Sequence, residues 1–342
     1  MTDFLQASGF EEALRPPVRP SRARITPAVL GRTGGRRQAG ARATLARVVR
    51  RAPEAMVKIT GKTRDAGHLA RHLDYISRNG RLAMEGPDGE RLTGRAEVRE
   101  LAGDWGAELS AEPVRRRGAV SMAIVLSMPE GTEAFRVEDA SRAFARRVFG
   151  DRFDWVMALH DEERHPHVHL TVRMSGRGGV RLNPRKADLQ EWREAFAEAL
   201  RERGVEAEAT PRRARGVVRK SERTPVRKAR ERFEAGGGPM PVVLAAALRE
   251  AVREEDGVAA WERRALERQR LVRRAYVAEA LALARSHDPA ERELGRAVED
   301  FVRSLPRPET RRMRLHREMA ELRDRRGEAT RSPDRELRGR SR

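Results

Sequence analysis

Four histidines fall within ten consecutive positions of this chain, although the whole sequence contains only eight. They are His160, His165, His167 and His169. Side chains two positions apart on a strand project to the same side of a sheet, so His167 and His169 would present two imidazoles to one ion. The pattern predicts a metal-dependent enzyme that acts on phosphate, and it leaves open which group is the nucleophile.

The connection 161–166 is short enough to turn the chain back antiparallel, which would set His160 beside His167 on a neighbouring strand. Three imidazoles on one sheet face can hold a divalent cation and leave positions open for phosphate oxygens. The sequence contains no cysteine, which excludes disulfides, thiolate metal sites and a cysteine nucleophile. His165 is predicted either to support these ligands or to be an ordinary loop residue.

A candidate nucleophile is one of only two tyrosines. Tyr75 lies on a predicted amphipathic helix and shares a face with His68 and His72, which we leave open between site residues and bystanders. Forming the phenolate at neutral pH costs about 4 kcal/mol, and a metal or a histidine base would offset this cost. Tyr276, the other tyrosine, lies in a charged helical region, and we interpret it as a packing residue.

Two motifs carry a resemblance to a known family. The segment Tyr75-Ile-Ser-Arg78-Asn-Gly80 resembles motif I of the relaxases that mobilise plasmids, including the T-DNA border nickase branch. The segment from His160 through Glu162 and His165 to His167-Val-His169 resembles their motif III. Residues 181–197 resemble the part that follows it, so the likeness spans about 54–205. The family commonly has aspartate where Glu162 stands.

The resemblance implies an α+β fold of the HUH relaxase type. It also implies that Tyr75 nicks one DNA strand at an origin of transfer and forms a 5′-phosphotyrosyl intermediate. His160, His167 and His169 would hold Mg²⁺ or Mn²⁺, with Glu162 and His165 in auxiliary positions. The implied partners are single-stranded DNA, an accessory DNA-binding protein and the coupling protein of a type IV secretion channel. The candidate contacts to DNA phosphates are Arg78, Arg173, Lys186 and Arg193.

Three alternatives remain open from the residues. A rolling-circle replication initiator or a transposase of the same superfamily would share the chemistry. The segment from His165 to Leu170 also resembles the histidine-triad nucleotide hydrolases, in which His167 would be the nucleophile. A DNA-binding protein without catalytic activity would bind and not cleave.

Composition agrees with a polyanionic partner. The net charge is +20 and the sequence pI is about 11.4, which favours nucleic acid over an anionic membrane surface. Only five of the 72 basic residues are lysines, a usage that also fits a GC-rich genome. The absence of cysteine fits a reducing compartment. No secretory signal and no apolar run of about 20 residues is visible, so we predict a cytoplasmic protein without membrane insertion. The family resemblance further implies that it is translocated together with DNA.

Hydrophobic patterning predicts α+β architecture with a largely antiparallel sheet, followed by a charged helical C-terminal region. Predicted strands cover about 55–60, 119–126, 153–160 and 167–174; predicted helices cover about 65–77, 97–109, 137–149 and 187–203. The predicted domains are a disordered basic arm (1–52), a nuclease domain (53–206), a basic linker (207–239), a charged helical region (240–328) and a disordered basic tail (329–342).

Overall fold

The structure is a computed structural model, and it describes residues 37–111, 118–162, 164–211, 214–216, 222, 224–252 and 258–331. These residues fall into two compact units, one ending at Pro211 and the other beginning after it.

The first unit is built on a six-stranded sheet in which every pair of neighbouring strands is antiparallel. The strands are β1 (Met56–Thr63), β2 (Met84–Glu85), β3 (Arg91–Leu92), β4 (Ser121–Ser127), β5 (Trp155–His160) and β6 (His167–Arg173). The spatial order is β1-β4-β6-β5-β2-β3, so the two histidine-bearing strands, β5 and β6, lie side by side within the sheet.

Five helices accompany this sheet. The predicted α+β class with an antiparallel sheet is confirmed, and each strand or helix predicted between 55 and 203 is present with its ends shifted by a few residues. The helices are α1 (Arg37–Val49), α2 (Ala66–Ile76), α3 (Gly94–Ala111), α4 (Ala134–Val148) and α5 (Lys186–Arg201).

One face of the sheet is closed by α4 and α5. Alternation along β6 directs Val168, Leu170 and Val172 to this side, where they are buried in a single apolar cluster with side chains of both helices. Phe144 of α4 and Phe196 of α5 meet there edge to face, with ring centroids 6.0 Å apart. This cluster is the main hydrophobic core of the unit.

The opposite face carries the histidines and is only partly covered. Helices α2 and α3 pack against each other and against the β5 side of the sheet, where Val156 and Ala158 are buried in a second, smaller cluster. Leu69, Leu73 and Ile76 form the buried face of α2. Their spacing of four and three residues is the one the sequence predicted.

The second unit is helical, as predicted for residues 240–328. Its helices α8 (Ala260–Ala284) and α9 (Pro289–Ser304) pack together, and so do α7 (Val242–Val252) and α10 (Arg311–Arg331). Tyr276 of α8 is fully buried, lies 5.3 Å from the ring of Phe301 and donates a hydrogen bond to the carbonyl of Ala214, a packing position. The unit also contains α6 (Thr224–Glu234).

The structure differs from the predicted boundaries in three places. Helix α1 lies within the stretch interpreted as a disordered arm, and its Leu45 and Val48 are buried; residues 1–36 lie outside the described residues. The start of the predicted linker belongs to the first unit, because Glu208 forms a β-bridge with Glu54. Helix α10 continues to Arg331, and the remainder of the predicted tail lies outside the described residues.

Local patterning explains these differences. The apolar residues of α1 and of 207–209 are too few to show a helical or strand period in the sequence. In the structure, Ala207 and Ala209 are nevertheless buried against the main core.

Among the described residues, no helix is both long and apolar enough to cross a bilayer.

Candidate active site

Three histidines meet on the open face of the sheet. His160 is the register partner of His167 across β5 and β6, which confirms the predicted pairing, and His169 follows on the same side. Ligand nitrogens of the three imidazoles lie within 4.8 Å of one another. The ring centroids are 5.2 Å apart for His160 and His167, 4.5 Å for His160 and His169, and 5.1 Å for His167 and His169. This spacing suits one shared divalent cation.

Backbone carbonyls fix the orientation of two of these rings. The Nε2 atom of His160 lies 2.7 Å from the carbonyl oxygen of Ile76, and the Nδ1 atom of His167 lies 3.0 Å from that of His165. A carbonyl only accepts, so each of these nitrogens must carry the proton. The lone pairs then reside on Nδ1 of His160 and Nε2 of His167, the arrangement that metal-binding histidines commonly show.

Burial favours the neutral form of two of these imidazoles. Burial, followed by the neighbouring charges of His160, His167 and His72, lowers the pKa of His169 to about 3. Burial is also the main cause that lowers the pKa of His160. Neutral imidazoles are the form that binds a metal, and protons compete poorly for such a site.

Tyr75 lies beside this cluster. Its ring centroid is 5.8 Å from that of His169 and 6.4 Å from that of His160, although β6 is distant from α2 in sequence. The side chain is 57% exposed, in contrast to the buried Tyr276. An exposed phenol next to three imidazoles is accessible to a substrate that enters from solvent.

Helix α2 is attached to the histidine strands on both sides of Tyr75. One turn before it, Nε2 of His72 lies 3.0 Å from the hydroxyl of Thr171 on β6. One residue after it, the carbonyl of Ile76 accepts the hydrogen bond from His160 of β5. We call the His72–Thr171 and Ile76–His160 contacts the helix clamp. The clamp fixes the distance between Tyr75 and the imidazoles.

A turn at the end of α2 brings Arg78 over the site. Arg78, Asn79 and Gly80 have successive positive φ angles of 53°, 58° and 82°. The left-handed region is costly for arginine. Glycine is required at position 80 for a second reason, since a Cβ there would lie 2.5 Å from backbone atoms of Gly94 and Arg95.

The guanidinium of Arg78 faces both Tyr75 and the histidines. Its Cζ lies 5.9 Å from the Tyr75 ring centroid, and its Nη2 lies 3.4 Å from Nδ1 of His160. The Nε atom is buried and has no hydrogen-bond partner among the residues that the structure describes. A buried donor without an acceptor is costly, so the site offers a place for an anion.

The two auxiliary positions, Glu162 and His165, lie near the site, and neither brings its own side chain against an imidazole of the cluster in the described contacts. Glu162 does not contact an imidazole; its carboxylate is exposed and lies 3.6 Å from Nη2 of Arg78. His165 supports His167 through its backbone carbonyl, and its own side chain is exposed. The sequence did not show whether His165 would support its neighbours through its backbone carbonyl or through its imidazole.

The other predicted DNA contacts do not join the histidines. Arg173 lies at the far end of β6, about 20 Å along the strand from His167, and donates to Asp154 at 3.1 Å. Lys186 and Arg193 belong to α5, which covers the opposite face of the sheet. Among the four predicted cations, only Arg78 reaches the site.

Sequence reasoning missed Thr171 as a partner of His72 and left His72 undecided. The sequence did contain a signal, because Thr171 continues the alternation of His167 and His169 along β6. In the structure Thr171 is fully buried. The side chain of His68 is exposed. Its backbone N–H donates to the carboxylate of Asp65 at the start of α2.

Comparison with known proteins gives the following matches. Residues 93–205 match the family model described as relaxase, MobA/VirD2-like, nuclease domain. This range contains the three histidines and does not reach Tyr75. The T-DNA border endonuclease VirD2 of Rhizobium radiobacter is 27% identical over 183 residues, covering 46% of this chain and 41% of the relative. The protein of the same name from Agrobacterium fabrum is also 27% identical, covering 46% and 39%.

The chain therefore spans about two fifths of the length of these relatives. A solved structure titled "Molecular Basis of Vancomycin Resistance Transfer in Staphylococcus aureus" is 13% identical and covers 46% of this chain and 98% of that one, with a TM-score of 0.32. A likeness of that strength adds nothing to the functional assignment.

Proposed function

We propose that the chain is a site-specific endonuclease of the relaxase type, which nicks one DNA strand at an origin of transfer; the match of residues 93–205 to the MobA/VirD2-like nuclease domain supports this. The observation that carries the proposal is the position of the exposed Tyr75, 5.8 Å from His169 by ring centroids. The phenol and the imidazoles come from different parts of the sequence, and the fold sets them around one space.

The chemistry follows from this arrangement. Oη of Tyr75 attacks the phosphorus of a DNA phosphodiester, the bond from phosphorus to the 3′ oxygen breaks, and a 5′-phosphotyrosyl ester forms. The phenolic proton is lost and the released 3′ oxygen gains one, so the products are the ester and a free 3′ hydroxyl. The number of phosphate ester bonds is unchanged, and the strand can be resealed by the reverse reaction.

The residues fit a divalent metal at the histidines. His160, His167 and His169 would hold it, and the carbonyl hydrogen bonds leave one nitrogen of His160 and one of His167 unprotonated for this purpose. When bound, the metal would polarise the scissile phosphate and help to offset the cost of forming the phenolate. Of Mg²⁺ and Mn²⁺, we favour Mn²⁺, because Mg²⁺ prefers an all-oxygen octahedral shell and three imidazoles suit it poorly.

Arg78 is the residue we propose as the phosphate contact. It is adjacent to Tyr75 and has a buried Nε donor without an acceptor among the described residues. A guanidinium can bind two oxygens of one phosphate. The exposed carboxylate of Glu162 now lies near it, and an incoming phosphate would compete with that contact.

The proposal gives conjugative mobilisation as the biological role. Its proposed partners are single-stranded DNA at the origin of transfer, an accessory DNA-binding protein and a coupling protein of a type IV secretion channel. We propose that the protein acts in the cytoplasm and is translocated with the DNA. These partners follow from the family resemblance, and the histidine site itself supports only the DNA.

A covalent adduct assay tests the reaction. The full-length protein is incubated with labelled single-stranded oligonucleotides covering candidate origin sequences, with Mn²⁺ or Mg²⁺ after treatment with EDTA. A labelled band that survives on a denaturing gel is expected with Mn²⁺ and, more weakly, with Mg²⁺. Tyr75→Phe should bind the same oligonucleotide and give no adduct, and His169→Asn should need far more Mn²⁺.

Other outcomes separate the alternatives. A histidine-triad hydrolase would stay active as Tyr75→Phe and would lose activity as His167→Ala. DNA binding without an adduct for every candidate sequence would leave a non-catalytic binding protein and would overturn the proposal. An initiator or transposase would form the adduct at an origin of replication or an element end instead.

A further inference from the structure

Helix α8 carries a tryptophan whose side chain is not packed into a hydrophobic core. Of the four tryptophans, Trp105, Trp155 and Trp192 are at most 6% exposed, whereas Trp261 is 54% exposed. Burying an indole is strongly favourable, and Trp is a frequent anchor where proteins meet their partners. Trp261 lies at the start of α8.

Two arginines and a leucine continue the same face. Arg264, Arg268 and Leu271 follow Trp261 at intervals of three, seven and ten residues, within about 80° of arc around the helix axis. All are exposed, and Leu271 is 63% exposed. We call Trp261, Arg264, Arg268 and Leu271 the α8 stripe.

The arginines of the stripe differ from those of the neighbouring helices. On α9 and α10, Arg303 pairs with Glu299 at 2.6 Å, and Arg317 pairs with Glu321 at 2.8 Å. Arg264 and Arg268 form no hydrogen bond or ion pair with any residue in the described part of the chain. No direct contact with a described residue of the unit thus neutralises their positive charge.

The acidic residue that follows Trp261 in the sequence, Glu262, does not lie on the exposed α8 stripe. Glu262 is fully buried and accepts from Arg312 at 2.5 Å and from Thr310 at 2.6 Å. Its hydrogen bonds, led by the one from Arg312, lower the pKa of this carboxyl. Glu267 is exposed between the two arginines in sequence and leaves the pair with a net positive charge.

We propose that the α8 stripe binds single-stranded DNA, with a base stacked on Trp261 and phosphates on Arg264 and Arg268. Proteins that bind single strands without sequence preference combine an aromatic platform with basic side chains. The choice of DNA rests on the proposed function, whereas the stripe itself lies in the helical unit and not in the unit that carries Tyr75 and the three histidines. The stripe would hold strand outside the nick sequence.

Trp261 is its own reporter, since the other three tryptophans are buried. Full-length protein is titrated with an oligothymidylate that lacks any nick sequence while tryptophan emission is followed. Stacking should quench part of the emission, and Trp261→Phe should abolish that part of the signal. Trp261→Ala should weaken binding roughly 5- to 100-fold, the range expected for losing one stacked base.

A charge-matched pair of variants tests the arginines. Arg264→Gln with Arg268→Gln removes two positive charges, and so does Arg303→Gln with Arg317→Gln on the other helices. Log affinity falls as log salt rises, and only the stripe variant should make this fall less steep. The magnitude of the slope should decrease by about 1.4 for two lost phosphate contacts to a single strand. Adduct formation on a short oligonucleotide limited to the nick site should be unchanged in both.

The outcomes are distinguishable from failure of the nuclease proposal. Equal salt slopes for the two double variants, or unchanged emission on addition of single-stranded DNA, would overturn the inference even if the adduct assay succeeds. Quenching by duplex DNA alone would also overturn it. Normal quenching together with absence of an adduct would retain the stripe and overturn the proposed nicking reaction.

Discussion

The two faces of the central sheet have different roles, although the same strands supply both. On one face, Val168, Leu170 and Val172 of β6 are buried under α4 and α5. On the other, His167 and His169 alternate with them and are half-exposed. A single strand thus contributes hydrophobic packing to one side and ligand nitrogens to the other. Substitutions on the two faces should therefore change different measurable quantities.

The largest effect is expected from the packed face. Phe196→Ala removes a fully buried ring that contacts Phe144 and should lower the free energy of unfolding by about 3–5 kcal/mol. Urea denaturation followed by the fluorescence of the buried Trp155 and Trp192 measures it. Tyr75→Phe is the control on the open face and should stay within about 0.5 kcal/mol of the wild type. Similar losses for both variants would remove the distinction between the faces.

The next effect concerns Arg78 and Arg193, two cations on opposite faces. Arg78→Gln should lower affinity for a nick-site oligonucleotide and slow adduct formation by about 10- to 100-fold, the effect of losing a charged hydrogen-bond pair of roughly 1.5–3 kcal/mol. Arg193→Gln removes the same charge from α5 and should change both quantities less than twofold. Equal effects would show that net charge, and not position, determines DNA contact.

The helix clamp should give a smaller and more specific effect. Thr171→Val removes the hydroxyl that contacts His72 and should slow adduct formation by roughly 10-fold, equivalent to one hydrogen bond of about 1–1.5 kcal/mol. Binding of the oligonucleotide should be unchanged. Thr171→Ser keeps the hydroxyl and should restore the rate. His72→Gln should also retain the rate, because the amide of glutamine can still donate to the hydroxyl of Thr171. A loss of rate in Thr171→Ser equal to that in Thr171→Val would exclude this role for the contact.

A further effect, on stability and not on activity, is a pH dependence in protein without metal. The pKa of His169 is lowered from 6.5 to about 3 in the folded protein. Below pH 6.5 the unfolded chain therefore binds a proton that the folded chain does not, and the free energy of unfolding falls as the pH decreases toward 3. Urea midpoints in EDTA between pH 7 and pH 5 should decrease, and less so in His169→Asn. A slope identical in both proteins would assign the effect to other groups.

Much of this fold was predictable because its signals are local. The apolar run before His160, the alternation through β6 and the 3.6-residue period of α2 specify the elements whatever surrounds them. The pairing of His160 with His167 was also predictable, since the short connection 161–166 allows only a tight antiparallel return. Helix α1 was missed because its burial depends on contacts with distant residues such as Glu208, which lies 2.7 Å from Arg47.

The sequence by itself determined which groups were available: three histidines at strand spacing, one tyrosine on an amphipathic helix and a large excess of arginine. It did not distinguish the arginines from one another, and it grouped Arg173, Lys186 and Arg193 with Arg78. Only the tertiary structure decided which groups meet. The left-handed turn aims Arg78 at Tyr75, and the helix clamp sets Tyr75 beside His169. Such contacts join residues distant in sequence, and they depend on how α2 packs on the sheet, which no local pattern encodes.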